Sequence, residues 1–202
     1  SIVKAYLEQF GYYDIFFFNM DGDMIYSVYK ELDYATNLKS GPYSNGNFGR
    51  VVKKALNVPY SGMPEYFLED FENYIPSKGD FASFIATPVY NRKNVQIGAL
   101  AFQMPVNRIN EIISGVNDIN SKNIHGNWEN FGLGKAGQVY MLAEDMTLRN
   151  ETRPKLEDQK NDLKNYFNDI NNAQNGTNIN QLKKLGKSLG VQKVDNADLK
   201  AV

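Results

Sequence analysis

Few side chains in this chain suit catalysis, and the ones that suit chemistry at all point to binding. His125 is the only histidine among 202 residues, and cysteine is absent. A hydrolytic triad or a metal centre would need that histidine at its middle. It lies instead in a polar stretch, SKNIHGNW, which suits a surface or hydrogen-bonding role. Asp21-Gly22-Asp23 carries two carboxylates, but the twelve-residue calcium loop with its terminal glutamate is missing, so it predicts a turn. Gly132-Leu133-Gly134-Lys135-Ala136-Gly137 lacks phosphate-loop spacing and leads toward a strand rather than a helix N-terminus. Asn150-Glu151-Thr152 and Asn175-Gly176-Thr177 are formal glycosylation sequons. The expectation is a protein that is not an enzyme, with no catalytic residue, no metal and no cofactor.

Binding needs apolar walls and a few convergent polar groups. Asp33, Thr36, Asn37 and Tyr43 fall in a long polar segment. Glu69, Asp70 and Tyr74 lie further on, and Ser83, Ile85, Phe102 and Gln103 lie on two later apolar runs. Asp33, Tyr74 and Gln103 rank highest. The bland alternative makes Ile85 and Phe102 plain core and leaves the acids solvated. Residues 83, 85 and 87 share one strand face, and 84 and 86 share the other.

The elements that must position these groups are legible. Between Tyr12 and Tyr29 the chain reads YYDIFFFNMDGDMIYSVY, two aromatic-rich runs folded back at Asn19–Asp23 and predicting a β-hairpin. Before it, Ile2, Val3, Tyr6, Leu7 and Phe10 recur at helical spacing, and Gly11 ends that helix. Lys30 to Asn47 is too long for a simple connector and has the length of a binding or lid segment. Phe48 to Leu56 predicts a short helix with Val51, Val52, Ala55 and Leu56 inward. Pro64 opens a second, with Phe67, Leu68 and Phe71 on one side and Tyr74 continuing the stripe. FASFIATPVYN (81–91) and VQIGALAFQMPV (95–106) predict a second hairpin turning at Arg92-Lys93-Asn94. Residues 105–119 predict an amphipathic helix with Asn107, Arg108, Asn110 and Glu111 outward. QVYMLAEDMTLRNET predicts another hairpin-like unit turning near Glu144-Asp145, and the tail beyond Pro154 predicts thin helices and loops.

Bulk properties set outer limits. Hydrophobic residues make up 42%, and 13 Tyr with 12 Phe are enough to build a core. The net charge of −1 offers no basic track for a phosphate backbone, so nucleic acid is a poor partner. No run approaches the roughly 18–20 apolar residues of a membrane helix. The start without Met suggests an excised piece, from which anchors or signals could have been cut away.

The order YYDIFFFNMDGDMIYSVYKELDYATNL, PSKGDFASFIATPVYN, IGALAFQMPVNRINEI resembles the extracytoplasmic Cache (PAS-like) sensor domains of bacterial chemotaxis receptors and histidine kinases. GLGKAGQVYMLAEDMTLRNETR is similar to the opening of the membrane-proximal module in the double-Cache arrangement. The resemblance covers roughly residues 8–154. It implies an α/β (α+β) fold: a central antiparallel sheet with a long N-terminal helix and inserted helices, and a small-molecule pocket between sheet and helix-loop layer. It places a membrane-distal module at 1–124 and a partial membrane-proximal module at 125–202. It further implies a periplasmic part of a membrane-anchored receptor, and a homodimer. Amino-acid-binding members carry an Asp on the last strand that holds the ligand amine, and an Arg-x-Trp-Tyr segment. Here Gln103 stands where that Asp is expected and PEYFLEDFENY lacks the segment. The departure disfavours an α-amino acid and leaves an organic acid or another small metabolite as the expected ligand. A structural module answering to a partner protein is the alternative.

Overall fold

The computed structural model describes residues 2–114, 132–134, 137–157 and 193. The chain divides into two compact units, Ser1–Pro105 and Val106–Val202. The boundary expected after residue 124 lies outside the described residues. His125, the second sequon and the tail pattern at 161–189 also lie outside them.

In the first unit, helix α1 (Ile2–Phe10) closes at Gly11, whose φ of +72° suits a residue without a Cβ and whose N–H bonds the Leu7 carbonyl at 2.8 Å. Strands β1 (Asp14–Phe18) and β2 (Met24–Ser27) form the expected hairpin. Its reversal is tied by Asn19, which donates to Asp23 Oδ2 and accepts from the Asp23 N–H. Helix α2 (Asn47–Asn57) follows the long polar segment, and Val51, Val52, Ala55 and Leu56 are buried as expected. Strand β3 (Phe67–Tyr74), a 3₁₀ turn (Ile75–Ser77), β4 (Asp80–Tyr90) and β5 (Gln96–Gln103) complete the unit. The sheet order is β2-β1-β5-β4-β3, antiparallel throughout. This is the α+β, PAS-like sheet that the resemblance implied.

One element differs in kind. The helix expected after Pro64 is the edge strand β3. A bulge between Glu69 and Glu72 inserts one extra residue opposite Phe84 and Ala82. The insertion breaks the two-residue alternation, so Phe67, Phe71 and Tyr74 fall at spacings of four and three and imitate a helical stripe.

Register assigns the two faces of the sheet. Asp14 pairs with Gln103, Phe16 with Ala101 and Phe18 with Ala99. Gln103 pairs with Phe84 and Ala101 with Ala86. Directly paired residues project to the same side, and α2 packs on this one. Phe16, Phe48, Val51, Val52, Tyr74, Phe84 and Ala101 share its core. Alanines at 82, 86, 99 and 101 let α2 approach closely, and the Phe48 ring stacks on Phe84 at 4.1 Å. Ile15, Ile85 and Phe102 pair on the opposite face, where Phe102 meets Tyr6 of α1 and Tyr12.

In the second unit, α3 (Val106–Ser114) is amphipathic as expected, with one exception. Asn110 is buried, and its Oδ1 accepts the Glu151 N–H at 2.8 Å. The reversal near Glu144-Asp145 forms as a single bridge, Leu142 to Leu148, rather than as two strands. Asn150 is also buried: it accepts the Met141 N–H and donates to the Val139 and Glu151 carbonyls, so this sequon residue is structurally engaged. A short helix α4 (Arg153–Glu157) follows. Among the described residues no helix is long and apolar enough to cross a membrane.

Candidate ligand-binding site

The α2 face of the sheet ends in polar residues rather than phenylalanines. Asp14 opens β1 and Gln103 closes β5, and the two lie opposite each other across the strands. Tyr74 closes β3 on the same side, and the 3₁₀ turn places Ser77 beside them. Successive turns after β2 (Tyr34 N–H to Glu31 carbonyl, Thr36 N–H to Asp33 carbonyl) bring in two more acids, Glu31 and Asp33. The polar segment thus folds over the end of the sheet with alternate carboxylates available to the same cluster.

Hydrogen bonds join these groups in two sets, Tyr74 with Asp33, and Gln103 with Ser77, Glu31 and Tyr13. The Tyr74 hydroxyl donates to Asp33 Oδ2 at 2.5 Å. Gln103 Nε2 donates to Ser77 Oγ at 3.0 Å, and Ser77 Oγ donates to Glu31 Oε2 at 3.4 Å. The Tyr13 hydroxyl donates to Glu31 Oε1 at 2.9 Å. Asp33 is 1% exposed and Gln103 is 4% exposed, yet Asp33 Oδ1 and Gln103 Oε1 have no hydrogen-bond partner. Buried acceptors are nearly always paired, and each orphan costs about 1–3 kcal/mol. Two of them in one cluster mark a place where stability has been given up.

Electrostatics agree. Burial pushes the Asp33 carboxyl upward, the Tyr74 hydroxyl bond opposes that shift, and the negative charges of Glu31 and Asp14 add to it. Tyr74 is driven well above the usual phenol range by burial and by the Asp33 charge. Tyr13 is pushed up to about 12 by partial burial and by Glu31. A surface cleft of about 420 Å³ adjoins this cluster, lined by Tyr12, Tyr13, Tyr29 and Glu31. Glu31 is therefore both part of the cleft wall and a hydrogen-bond partner of the cluster.

The residues expected to bind a ligand divide clearly. Asp33, Tyr74 and Gln103 come together, with the Tyr43 ring 6.0 Å from Tyr74. Thr36 shapes the loop, its hydroxyl donating to the Asp33 carbonyl at 2.6 Å. Asn37 ties the loop to the first hairpin: it donates to Asp23 Oδ1 and the Asp21 carbonyl and accepts from the Lys39 and Ser40 N–H groups. Asp70 is exposed on the edge strand. Glu69 is held by Arg50 and Lys54 of α2. Ser83, Ile85 and Phe102 lie on the opposite face from Gln103, so they cannot join the same cluster. Beneath α2 itself, the stacked Phe48 and Phe84 rings occupy the space where a hollow was expected.

Asp14, Glu31, Ser77 and Tyr13 were missed. Asp14 carried a weak sequence signal, an acid among the phenylalanines of a buried strand, while the others depend on tertiary approach.

No family model matches the chain, and no curated protein matches it. Among solved structures it is similar to the sensor domain of the V. cholerae histidine kinase DctB, with 17% identity and a TM-score of 0.38 over 55% of this chain and 37% of that one. It is similar to the sensory domain of the Campylobacter jejuni chemoreceptor Tlp3, with 12% identity and a TM-score of 0.38 over 56% and 42%. A third is the ligand-binding domain of the Pseudomonas fluorescens chemoreceptor CtaA in complex with L-serine, with 10% identity and a TM-score of 0.43 over 73% and 51%. The chain spans about half or less of the length of each.

Proposed function

We propose that this chain is an extracytoplasmic, periplasmic sensing domain of a membrane-anchored signalling receptor, a chemoreceptor or sensor kinase, that binds a small molecule directly. Binding biases the arrangement of the flanking helices, and the signal is the difference in affinity between the two arrangements. Sensing needs no catalytic group and no cofactor. The observation that carries the proposal is the pair of buried, unpartnered acceptors, Asp33 Oδ1 and Gln103 Oε1, at the end of a PAS-like sheet, with Glu31 joining Gln103 through Ser77 to the wall of a cleft. Buried acceptors are paired in the great majority of cases, so two open ones here favour a binding role.

The test is a thermal-shift screen of metabolite classes on the 202-residue chain. A ligand at about 100 times its Kd stabilises by about 2.7 kcal/mol, a rise in midpoint of a few degrees. A ligand that shifts the wild type but not Asp33→Asn supports the proposal, and a complete panel without any shift removes it.

A second function, an interaction module answering to a partner protein, draws on a different observation: aromatic packing fills the space under α2. It predicts that Asp33 and Gln103 variants leave receptor signalling intact in cells.

A further inference from the structure

We infer that the ligand is a small organic cation, an amine or ammonium compound, seated against Asp33 and Gln103 with a tyrosine wall beside it. The inference rests on the sensing function proposed above and specifies its ligand class. It departs from the organic acid that the sequence led us to expect.

The cluster spends its Tyr13, Tyr74 and Ser77 hydroxyls and one Gln103 N–H on its own members, and two of its acceptors stay open. Tyr74 donates to Asp33, Tyr13 to Glu31, Ser77 to Glu31 and the Gln103 amide to Ser77. The acceptors left open are Asp33 Oδ1 and Gln103 Oε1, and these two oxygens accept rather than donate while Asp33 is ionised. An incoming carboxylate would meet the negative charges of Glu31 and Asp33, with only the second N–H of the Gln103 amide left to donate to it. An incoming ammonium supplies the missing N–H groups and the missing positive charge together.

Asp14 shows that the openness belongs to Asp33 rather than to every buried acid here. Its Oδ1 accepts from the Ile15 and Val28 N–H groups, and its Oδ2 from the Ser27 hydroxyl and the Tyr29 N–H. The titratable groups facing Asp33 are Tyr74 from β3, Asp14 from β1, and Glu31 from the loop. The charges they bring to it are negative. The Tyr43 ring lies 6.0 Å from that of Tyr74, whose hydroxyl bonds Asp33, and adds an aromatic side chain next to that pair. Among the described residues no three metal-binding side chains group closely enough to favour an inorganic ion.

The experiment compares probes of equal size and different charge. Propylammonium, 1-propanol and propionate form one series, and benzylammonium, benzyl alcohol and benzoate form a second. Each is titrated at constant ionic strength into the whole chain, followed by thermal shift and calorimetry, with calcium chloride as a further probe. The ammonium members are expected to bind tighter than their neutral and anionic partners by about tenfold or more. Asp33→Asn should abolish that preference, and Gln103→Met should weaken it.

Calorimetry in two buffers of different ionisation heat gives a readout that needs no variant. Below the raised pKa of Asp33, ammonium binding should release a proton from that carboxyl, and propanol binding should not. Preferred binding of propionate, propanol or calcium overturns the cationic ligand class and leaves direct sensing standing. Ammonium binding that is unchanged in Asp33→Asn and releases no proton overturns the assigned site. Absence of any binding across both series and the wider metabolite panel overturns the inference together with direct sensing.

Discussion

Asp14 and Asp33 are both buried aspartates on one side of the same sheet, and hydrogen bonding separates their roles. Asp14 is closed by four donors from β1, β2 and the residues just after β2, which makes it a clasp at the open end of the hairpin. Asp14→Ala should therefore cost about 2–4 kcal/mol in urea denaturation, since it strands four backbone or hydroxyl donors, two of them in buried bonds. Asp33 has one satisfied oxygen and one open one, and its carboxyl is raised. A raised acid keeps its proton to higher pH in the native state than in the unfolded one. Between the ordinary aspartate value of about 4 and the raised native value, the unfolded state then binds fewer protons, so stability falls as pH rises through that window. Asp33→Asn should flatten this fall and make the ligand-free protein more stable at pH 8 than the wild type, by about 1–2 kcal/mol. Urea midpoints at pH 4 and pH 8 measure it, and a less stable variant at pH 8 would show the carboxylate to be structural.

At the scale of elements, the close approach of β1 and β5 holds Asp14 opposite Gln103. Gly98 on β5 makes that approach possible: a Cβ there would lie 2.0 Å from the Phe18 carbonyl oxygen. Gly98→Ala should destabilise by about 2–3 kcal/mol, because backbone rather than a pliable side chain stands in the way. Amide exchange should locate the loss along β1 and β5. The other junction is Asn47 at the start of α2. Its buried side chain donates to the Asp70 carbonyl of β3 and the Ala82 carbonyl of β4, fastening helix to sheet across the bulge. Neither Gly98 nor Asn47 stands out from its local sequence. Both depend on chain segments far apart in number, whereas α2 and the two hairpins were legible because each satisfies a local period and a local turn.

For the whole molecule, every residue of the candidate site falls between Tyr12 and Gln103, inside the unit Ser1–Pro105. That unit contains the complete five-stranded sheet and its aromatic core. A fragment of residues 1–105 should fold on its own with a cooperative thermal transition by circular dichroism, and it should keep any ligand response of the full chain. A fragment without a cooperative transition would mean that the sheet depends on the second unit.

Local pattern alone determined the helix ending at Gly11, both hairpins, the inward stripe of α2 and the paucity of catalytic material, since periodicity, turn chemistry and composition are properties of neighbouring residues. Asp33, Tyr74 and Gln103 rank first among the expected ligand residues, Gln103 standing where the resemblance expects an Asp. Tertiary structure decided the rest. A single inserted residue in β3 moved its apolar positions onto helical spacing, and strand register, set by contacts more than 80 residues apart in the chain, put Gln103 on one face and Phe102 on the other. Which oxygens are left without a donor depends on all of those contacts at once, so the open end of Asp33 emerges only when the chain is folded.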